Sequence, residues 1–172
     1  MSIIKTWSAK EFDEEGDLEG FFELEFEGNS YGYFHTKPLK EGEEGFDLIG
    51  RWLEDLLRAV LILKNGQYVA ISDIEALYTW IEFERCKDLL KVSVVTSDID
   101  EVTDSIFIQP LPKREYKDWQ NVFIVFSDFQ KEVVEKTELY IQFLIEINPR
   151  LDGSRRVKRI KELLILVKGT QT

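Results

Sequence analysis

Residues 77–96, LYTWIEFERCKDLLKVSVVT, decide the fold class, because they hold two apolar runs separated by a short polar turn. The first run alternates strictly: Leu77, Thr79, Ile81 and Phe83 share one face, and Tyr78, Trp80 and Glu82 share the other. A period of two is typical of a β-strand. The second run extends from Leu89 to Thr96, after a turn at residues 86–88. The stretch therefore predicts two consecutive antiparallel strands.

Two flanking segments extend this pair. The run from Gln67 to Ile71 precedes it and predicts a third strand, so that the three form a β-meander. The run from Ser105 to Gln109 follows it and is a candidate edge strand, because Pro110 and Pro112 then interrupt the pattern.

A β-hairpin is expected near the start of the chain. From Glu19 to Glu27 the apolar and acidic side chains alternate, and Gly28-Asn29 then predicts a tight turn. A second strand from Ser30 to His35 completes the hairpin. The apolar positions of the first strand are Phe22, Leu24 and Phe26, and the acidic positions are Glu23, Glu25 and Glu27.

Three segments have a helical period. The segment from Phe46 to Val60 is amphipathic and is ended by Asn65-Gly66. Lys113 to Asn148 contains neither Gly nor Pro and carries an apolar stripe, which predicts a long helix. Arg155 to Lys168 predicts a final basic helix with Ser154 as its N-cap. Because strands precede helices rather than alternate with them, we expect one α+β domain over residues 1–172 with an antiparallel sheet.

The composition and motifs exclude several kinds of covalent, metal and catalytic site. With one cysteine and one histidine, the chain can form neither an intramolecular disulfide nor a His-rich metal site. The sequence contains no phosphate-binding loop, dinucleotide fingerprint or nucleophile elbow, and neither His35 nor Cys86 has an identifiable catalytic partner. We therefore expect no cofactor, no metal and no enzymatic activity. The weaker alternative is a small-molecule binder or a hydrolase that uses carboxylates, with Glu75, Glu82 and Glu84 as candidates.

The charge is concentrated at one end of the sequence. The chain has 33 acidic and 22 basic residues, and residues 1–60 alone have a net charge of −9 from 15 acidic and 6 basic side chains. Nucleic acids and anionic membranes bind through Lys and Arg, so we expect neither as a partner. The simpler interpretation is that these charges keep the protein dissolved and protect an edge strand. The functional interpretation is an acidic surface for a basic protein, with six candidate binding residues: Glu23, Glu25, Glu27, Glu41, Glu43 and Glu44.

A family resemblance favours the functional interpretation. FDLIGRWLEDLL at 46–57, TWIEFER at 79–85 and LLKVSVV at 89–95 resemble segments of small acidic bacterial α+β proteins, some of which act as immunity proteins in polymorphic toxin systems. This resemblance implies a protein that binds and neutralises a cognate toxin. The alternative is an interaction or oligomerisation module, for which a homodimer is possible. No apolar run approaches the roughly 20 residues that span a bilayer, and no targeting signal is visible, so we expect a cytoplasmic protein.

Overall fold

A computed structural model describes residues 18–33, 47–73, 75–99 and 104–169. In these residues the strands are antiparallel and the helices follow them, which confirms the predicted α+β class. The nine strands are β1 (Glu19–Gly20), β2 (Glu23–Phe26), β3 (Asn29–Gly32), β4 (Asp47–Leu48), β5 (Tyr68–Ser72), β6 (Thr79–Cys86), β7 (Leu89–Thr96), β8 (Ile106–Phe107) and β9 (Val122–Val125). The helices are α1 (Ile49–Asn65), α2 (Phe126–Ile147) and α3 (Arg155–Gly169), with a 3-10 turn at Pro149–Gly153.

The predicted meander forms the centre of the main sheet. Its five strands have the order β8-β5-β6-β7-β9, and β6 and β7 pair along their whole length from Thr79↔Thr96 to Cys86↔Leu89. β8, the predicted edge strand, pairs with β5 at the other side of the meander. β2 and β3 form the separate N-terminal hairpin, and β1 pairs with β4.

The two faces of this sheet differ in what covers them. The inner face carries Ile81, Phe83 and Val92, which belong to a large apolar core shared with all three helices and the hairpin. The outer face carries Trp80 and Glu82, as the alternation in the sequence predicted. This face is covered by the irregular segment 111–119, which follows β8.

The helices are joined by packing and by charge. α3 packs mainly on α1 and more lightly on α2. Arg156 of α3 donates to Glu54 of α1 at 2.6 Å, and Lys64 at the end of α1 donates to the carbonyl oxygen of Val167 at 2.5 Å. Ser154 caps α3 as predicted, accepting a hydrogen bond from the backbone N–H of Val157. None of the helices in the described ranges is long and apolar enough to cross a membrane.

The long helix predicted from Lys113 begins later than the sequence pattern indicated. Residues 122–125 form β9, which pairs with β7 from Val92↔Val122 to Leu89↔Val125, and α2 begins only at Phe126. The sequence VFIV is β-branched and aromatic, so it fits a sheet edge as well as a helix face, and pairing with β7 decides between them. Asn121, with φ of 58°, turns the chain into the strand.

The hairpin forms, but its turn lies one residue earlier than predicted. Phe26 pairs with Asn29, so Glu27 and Gly28 are the two turn residues, with φ of 49° and 80°. Two positive φ values in succession are typical of the tight turn that fits strand twist. The Asn29 side chain donates to the carbonyl oxygens of Phe26 and Glu27, which stabilises this position.

A glycine at the end of the hairpin allows a close backbone approach. Gly32 has φ of 84°, and a Cβ atom there would lie 2.2 Å from the carbonyl oxygen of Phe22. The neighbouring Tyr33 N–H donates to this same oxygen at 3.0 Å, so the position cannot move without breaking the hairpin. Gly28 has a similar φ of 80° but open space around it.

We therefore expect Gly32→Ala to destabilise the protein far more than Gly28→Ala. The Gly28 variant carries only backbone strain of about 1 kcal/mol, whereas the Gly32 variant adds a clash with backbone atoms. Urea unfolding of the two variants measures the difference, with Gly153→Ala as a control because nothing lies within 4 Å of that site. Equal losses in the free energy of unfolding for Gly32→Ala and Gly28→Ala would contradict this account of the hairpin.

Candidate functional site

The structure places the acidic residues of the hairpin on its outward face. Phe22, Leu24 and Phe26 are at most 1% exposed, so Glu23 and Glu25, which alternate with them, point away from the core. Glu27 is exposed in the turn rather than in the strand. The other three predicted binding residues, Glu41, Glu43 and Glu44, lie outside the described residues.

Further carboxylates from distant segments approach the same hairpin at Tyr31. The Tyr31 hydroxyl donates to Asp73, which follows β5. Burial raises the pKa of Tyr31, and the negative charges of Asp73, Asp47 and Asp118 raise it further. Tyr31 therefore remains a neutral donor in the middle of three carboxylates.

Asp47 is a half-buried carboxylate of this group. It precedes α1 and accepts a hydrogen bond from the Trp52 indole at 3.2 Å. Burial raises the pKa of Asp47, and the neighbouring charges of Asp73 and Glu75 raise it further. Like charges are thus held together in partly dehydrated surroundings, an arrangement that costs stability.

We call the set Glu23, Glu25, Glu27, Asp47, Asp73, Glu75 and Asp118 the acidic surface. It comprises two groups, because Tyr31 pairs with Leu24 and therefore lies, with the aspartates around it, on the other face of the hairpin from Glu23 and Glu25. It is assembled from the hairpin, the start of α1, the β5–β6 loop and the segment before β9. Asp47, Asp73 and Asp118 were missed by the sequence analysis, which named Glu75 only as a candidate hydrolase carboxylate. None of the four has an acidic residue directly beside it in the sequence, so no local pattern marks it. Only the tertiary fold brings Asp47, Asp73 and Asp118 close to Tyr31.

Six carboxylates of the acidic surface have no cationic partner among the described residues. No ion pair to a described Lys or Arg is formed by Glu25, Glu27, Asp47, Asp73, Glu75 or Asp118. Some carboxylates elsewhere are paired: Glu54 contacts Arg156 and Arg159, and Asp55 contacts Arg51 and Arg58. Within the described residues, Arg side chains therefore lie beside Glu54 and Asp55 and not beside these six carboxylates.

The segment 111–119 holds one side of this surface in position. The Trp119 indole donates to the carbonyl oxygen of Ser30 at 2.8 Å, and its ring lies 5.8 Å from that of Phe26. The backbone of Trp119 also accepts a hydrogen bond from the N–H of Val94 in β7. These contacts fix the hairpin against the main sheet and place Asp118 beside Tyr31.

The candidate hydrolase carboxylates do not converge on a cleft. Glu82 is fully buried on the outer face, where it accepts hydrogen bonds from Tyr68 and Tyr116, each at 2.9 Å, and from Arg114 at 3.2 Å. Glu84 is paired with Lys91 and Arg114, and Glu75 is exposed in the β5–β6 loop near Asp47. A general base must come within hydrogen-bond reach of its substrate, and Glu82 has no solvent-accessible surface from which to do so.

The remaining reactive side chains show no catalytic arrangement. Cys86 is an exposed free thiol at the end of β6, and His35 lies outside the described residues. Within ranges 18–33, 47–73, 75–99 and 104–169, no group of three or more His, Cys, Asp or Glu side chains is placed to hold a metal ion. Comparison of the chain with protein-family models, curated proteins and solved structures gives no match. Function is therefore argued from the acidic surface itself.

The raised pKa of Asp47 predicts a pH-dependent effect of Asp47→Asn. An unfolded aspartate titrates near 3.9, so a higher pKa in the folded state means that the ionised carboxylate costs stability at neutral pH. This loss of stability disappears as the pH falls through the pKa that Asp47 has in the folded state. The asparagine variant removes the charge and retains an acceptor for Trp52, so its stability relative to the native chain should fall between pH 7 and pH 4.

Urea unfolding at several pH values measures this difference in the free energy of unfolding. Glu75→Gln is the matched control, because it removes an exposed charge from the same cluster. A difference between Asp47→Asn and the native chain that does not change with pH, or that grows in favour of the variant as pH falls, would show that Asp47 is not strained.

Proposed function

We propose that the protein is an immunity-like protein that binds a basic protein partner through the acidic surface and thereby neutralises a cognate toxin. One observation carries this proposal: Asp47, Asp73 and Asp118, from three separate segments, lie close to Tyr31 of the hairpin, and none of them forms an ion pair with a described Lys or Arg. The proposal has two parts, the chemistry of the partner and its biological class, and they rest on different support.

The chemistry of the partner is inferred from the stability that the acidic surface costs the folded chain. Burial and like charges both act against Asp47, and a chain selected for stability alone would remove them by a single substitution. Sites where stability is sacrificed are commonly binding sites. Lys and Arg side chains of a partner would supply the missing opposite charges, and each charge pair formed on docking would relieve the repulsion.

Charge also governs the rate at which such a partner associates. Complementary surfaces steer the encounter and raise association rates well above those of uncharged surfaces at low salt. Fast capture suits an inhibitor that must meet a toxin before the toxin meets its target. The same negative charge repels nucleic acid and anionic lipid, so it favours a protein over either of them.

The biological class rests on the resemblance of residues 46–57, 79–85 and 89–95 to immunity proteins of polymorphic toxin systems. In the structure, residues 47–57, 79–85 and 89–95 lie in β4 and α1, in β6 and in β7, and apolar side chains from each of them share one core with Phe22, Leu24 and Phe26 of the hairpin segment.

The test is capture of the partner from the organism that encodes the chain, followed by association kinetics with matched charge variants. Glu25→Lys/Glu27→Lys/Glu75→Lys reverses three charges of the acidic surface, at the exposed Glu27 and Glu75 and the half-buried Glu25. The control, Asp88→Lys/Asp128→Lys/Glu135→Lys, makes the same change in net charge at exposed positions in the β6–β7 turn and on α2. We expect the first variant to associate at least tenfold more slowly at low salt and the control to change little.

Toxin neutralisation is measured separately, as loss of the toxic activity of the captured protein when the native chain is added in equimolar amount. Equal slowing by both variants would mean that only net charge matters and would contradict a localised surface. A captured partner without toxic activity would leave the basic-partner surface in place but overturn the immunity assignment.

A further inference from the structure

A second surface, far from the acidic one in the sequence, lies between α2 and α3. A groove of about 490 Å³ runs between these helices, and its floor is formed by Ile141, Ile145 and Leu164. Beside it Ile165 is 70% exposed, although it lies one residue from the nearly buried Leu164. An isoleucine this exposed adds to the apolar surface of the face, and such exposed apolar patches are typical of interaction sites.

The two helices that form this groove carry opposite charge. α2 has five acidic and two basic side chains, a net charge of −3. α3 has six basic side chains and one acidic side chain, a net charge of +5. Acidic residues such as Glu138 and Glu146 border the groove on the α2 side, and Lys161 borders it on the α3 side. Arg156 and Arg159 of α3 contact Glu54 of α1 and do not contribute to this face. The face is therefore acidic along the α2 edge, apolar in the middle and basic at Lys161.

Such a face is complementary to a copy of itself. A two-fold axis parallel to the helices places α2 of one copy over α3 of the other, so that each acidic edge meets a basic edge. Rotation about this axis leaves each residue at the same position along the helix axis. Because α2 and α3 are antiparallel, with Glu138 paired to Lys168 and Ile145 near Lys161, Glu146 then faces Lys158 and Lys161 of the second copy. Ile165 of each copy then lies in the interface, at the same height along the helices as Ile165 of the other copy.

We infer that this face is the interface of a homodimer, with a second copy of the chain as its occupant. The surface is distinct from the acidic surface, so both can be used at once, and the inference does not depend on the proposed function. Intramolecular pairs at the edges, Lys168 with Glu138 and Lys161 with Asp152, involve side chains that are about 40 to 50% exposed and remain open to a second partner.

The size of the face predicts a dimer of modest affinity. α3 has 15 residues and is about 22 Å long, and two packed helices are roughly 20 Å wide, so the footprint is about 20 Å by 20 Å for each copy. This footprint of about 400 Å² is below the roughly 600 to 800 Å² of accessible surface that each partner buries in stable protein interfaces. We therefore expect a weak dimer, with a dissociation constant on the order of 100 µM.

The test is sedimentation velocity of the full chain from 1 to 300 µM, with two adjacent substitutions on α3. Ile165→Glu places a charge in the interface and should raise the dissociation constant at least tenfold. Leu166→Glu is the matched control: Leu166 is also exposed, at 53%, but its side chain is rotated by about 100° around the helix, away from α2. We expect the control to dimerise like the native chain.

A charge exchange tests the orientation. Glu146→Lys and Lys158→Glu should each weaken the dimer, and the double variant should recover most of the affinity. Both changes improve the local helix electrostatics, because they place a cation near the end of α2 and an anion near the start of α3, so unfolding is not expected to mimic the effect. Circular dichroism of each variant confirms that the helices are retained.

Three results would overturn the inference. One is a native chain that stays monomeric throughout the concentration range, which would assign the groove to a different protein. The second is equal disruption by Ile165→Glu and Leu166→Glu. The third is a dimer that survives Ile165→Glu but is broken by Phe123→Lys, which would move the interface to the exposed edge strand β9. If the monomeric Ile165→Glu variant still binds the captured partner, the dimer interface and the acidic surface act independently, and the proposed function stands or fails on its own test.

Discussion

At the centre of the sheet, the buried Glu82 carboxylate accepts hydrogen bonds from Tyr68, Tyr116 and Arg114, and much of the structure depends on this interaction. Burial and the adjacent carboxylate both raise the pKa of Tyr68 and of Tyr116, so the two hydroxyls remain donors. The contacts fasten the segment 111–119 across and beside the sheet. Trp119 at its end then holds the hairpin. The buried Glu82 side chain is thus linked, through the segment 111–119, to the hairpin.

The sequence predicted the elements better than their junctions. The strict alternation of residues 77–96 was sufficient for β6 and β7, because a strand with one apolar face has only one register that buries it. β9 was not predictable, because VFIV satisfies a helical and an extended pattern equally and its pairing with β7 is a tertiary contact. The turn at Glu27-Gly28 was misplaced by one residue, since asparagine and glycine both tolerate positive φ.

The candidate site was only partly predictable for a related reason. Alternation identified Glu23 and Glu25 as outward residues, because their neighbours Phe22, Leu24 and Phe26 had to be buried. Asp47, Asp73 and Asp118 are isolated in the sequence and meet only at Tyr31. The basic residues of α3, in contrast, are used within the molecule at Glu54 and lie along the helix pair rather than near the hairpin. Within the described residues, six carboxylates of the acidic surface thus form no ion pair, whereas Glu54 and Asp55 form two each.

The most direct test of the acidic surface as a docking site is hydrogen–deuterium exchange of the chain alone and in complex with its captured partner. Added protection should appear in residues 23–33, 75–79 and 115–119, which carry or adjoin the acidic surface. The β6–β7 turn at residues 86–89 should show no change on binding. Protection confined to α3 or to the β6–β7 turn, with the hairpin unchanged, would contradict the account.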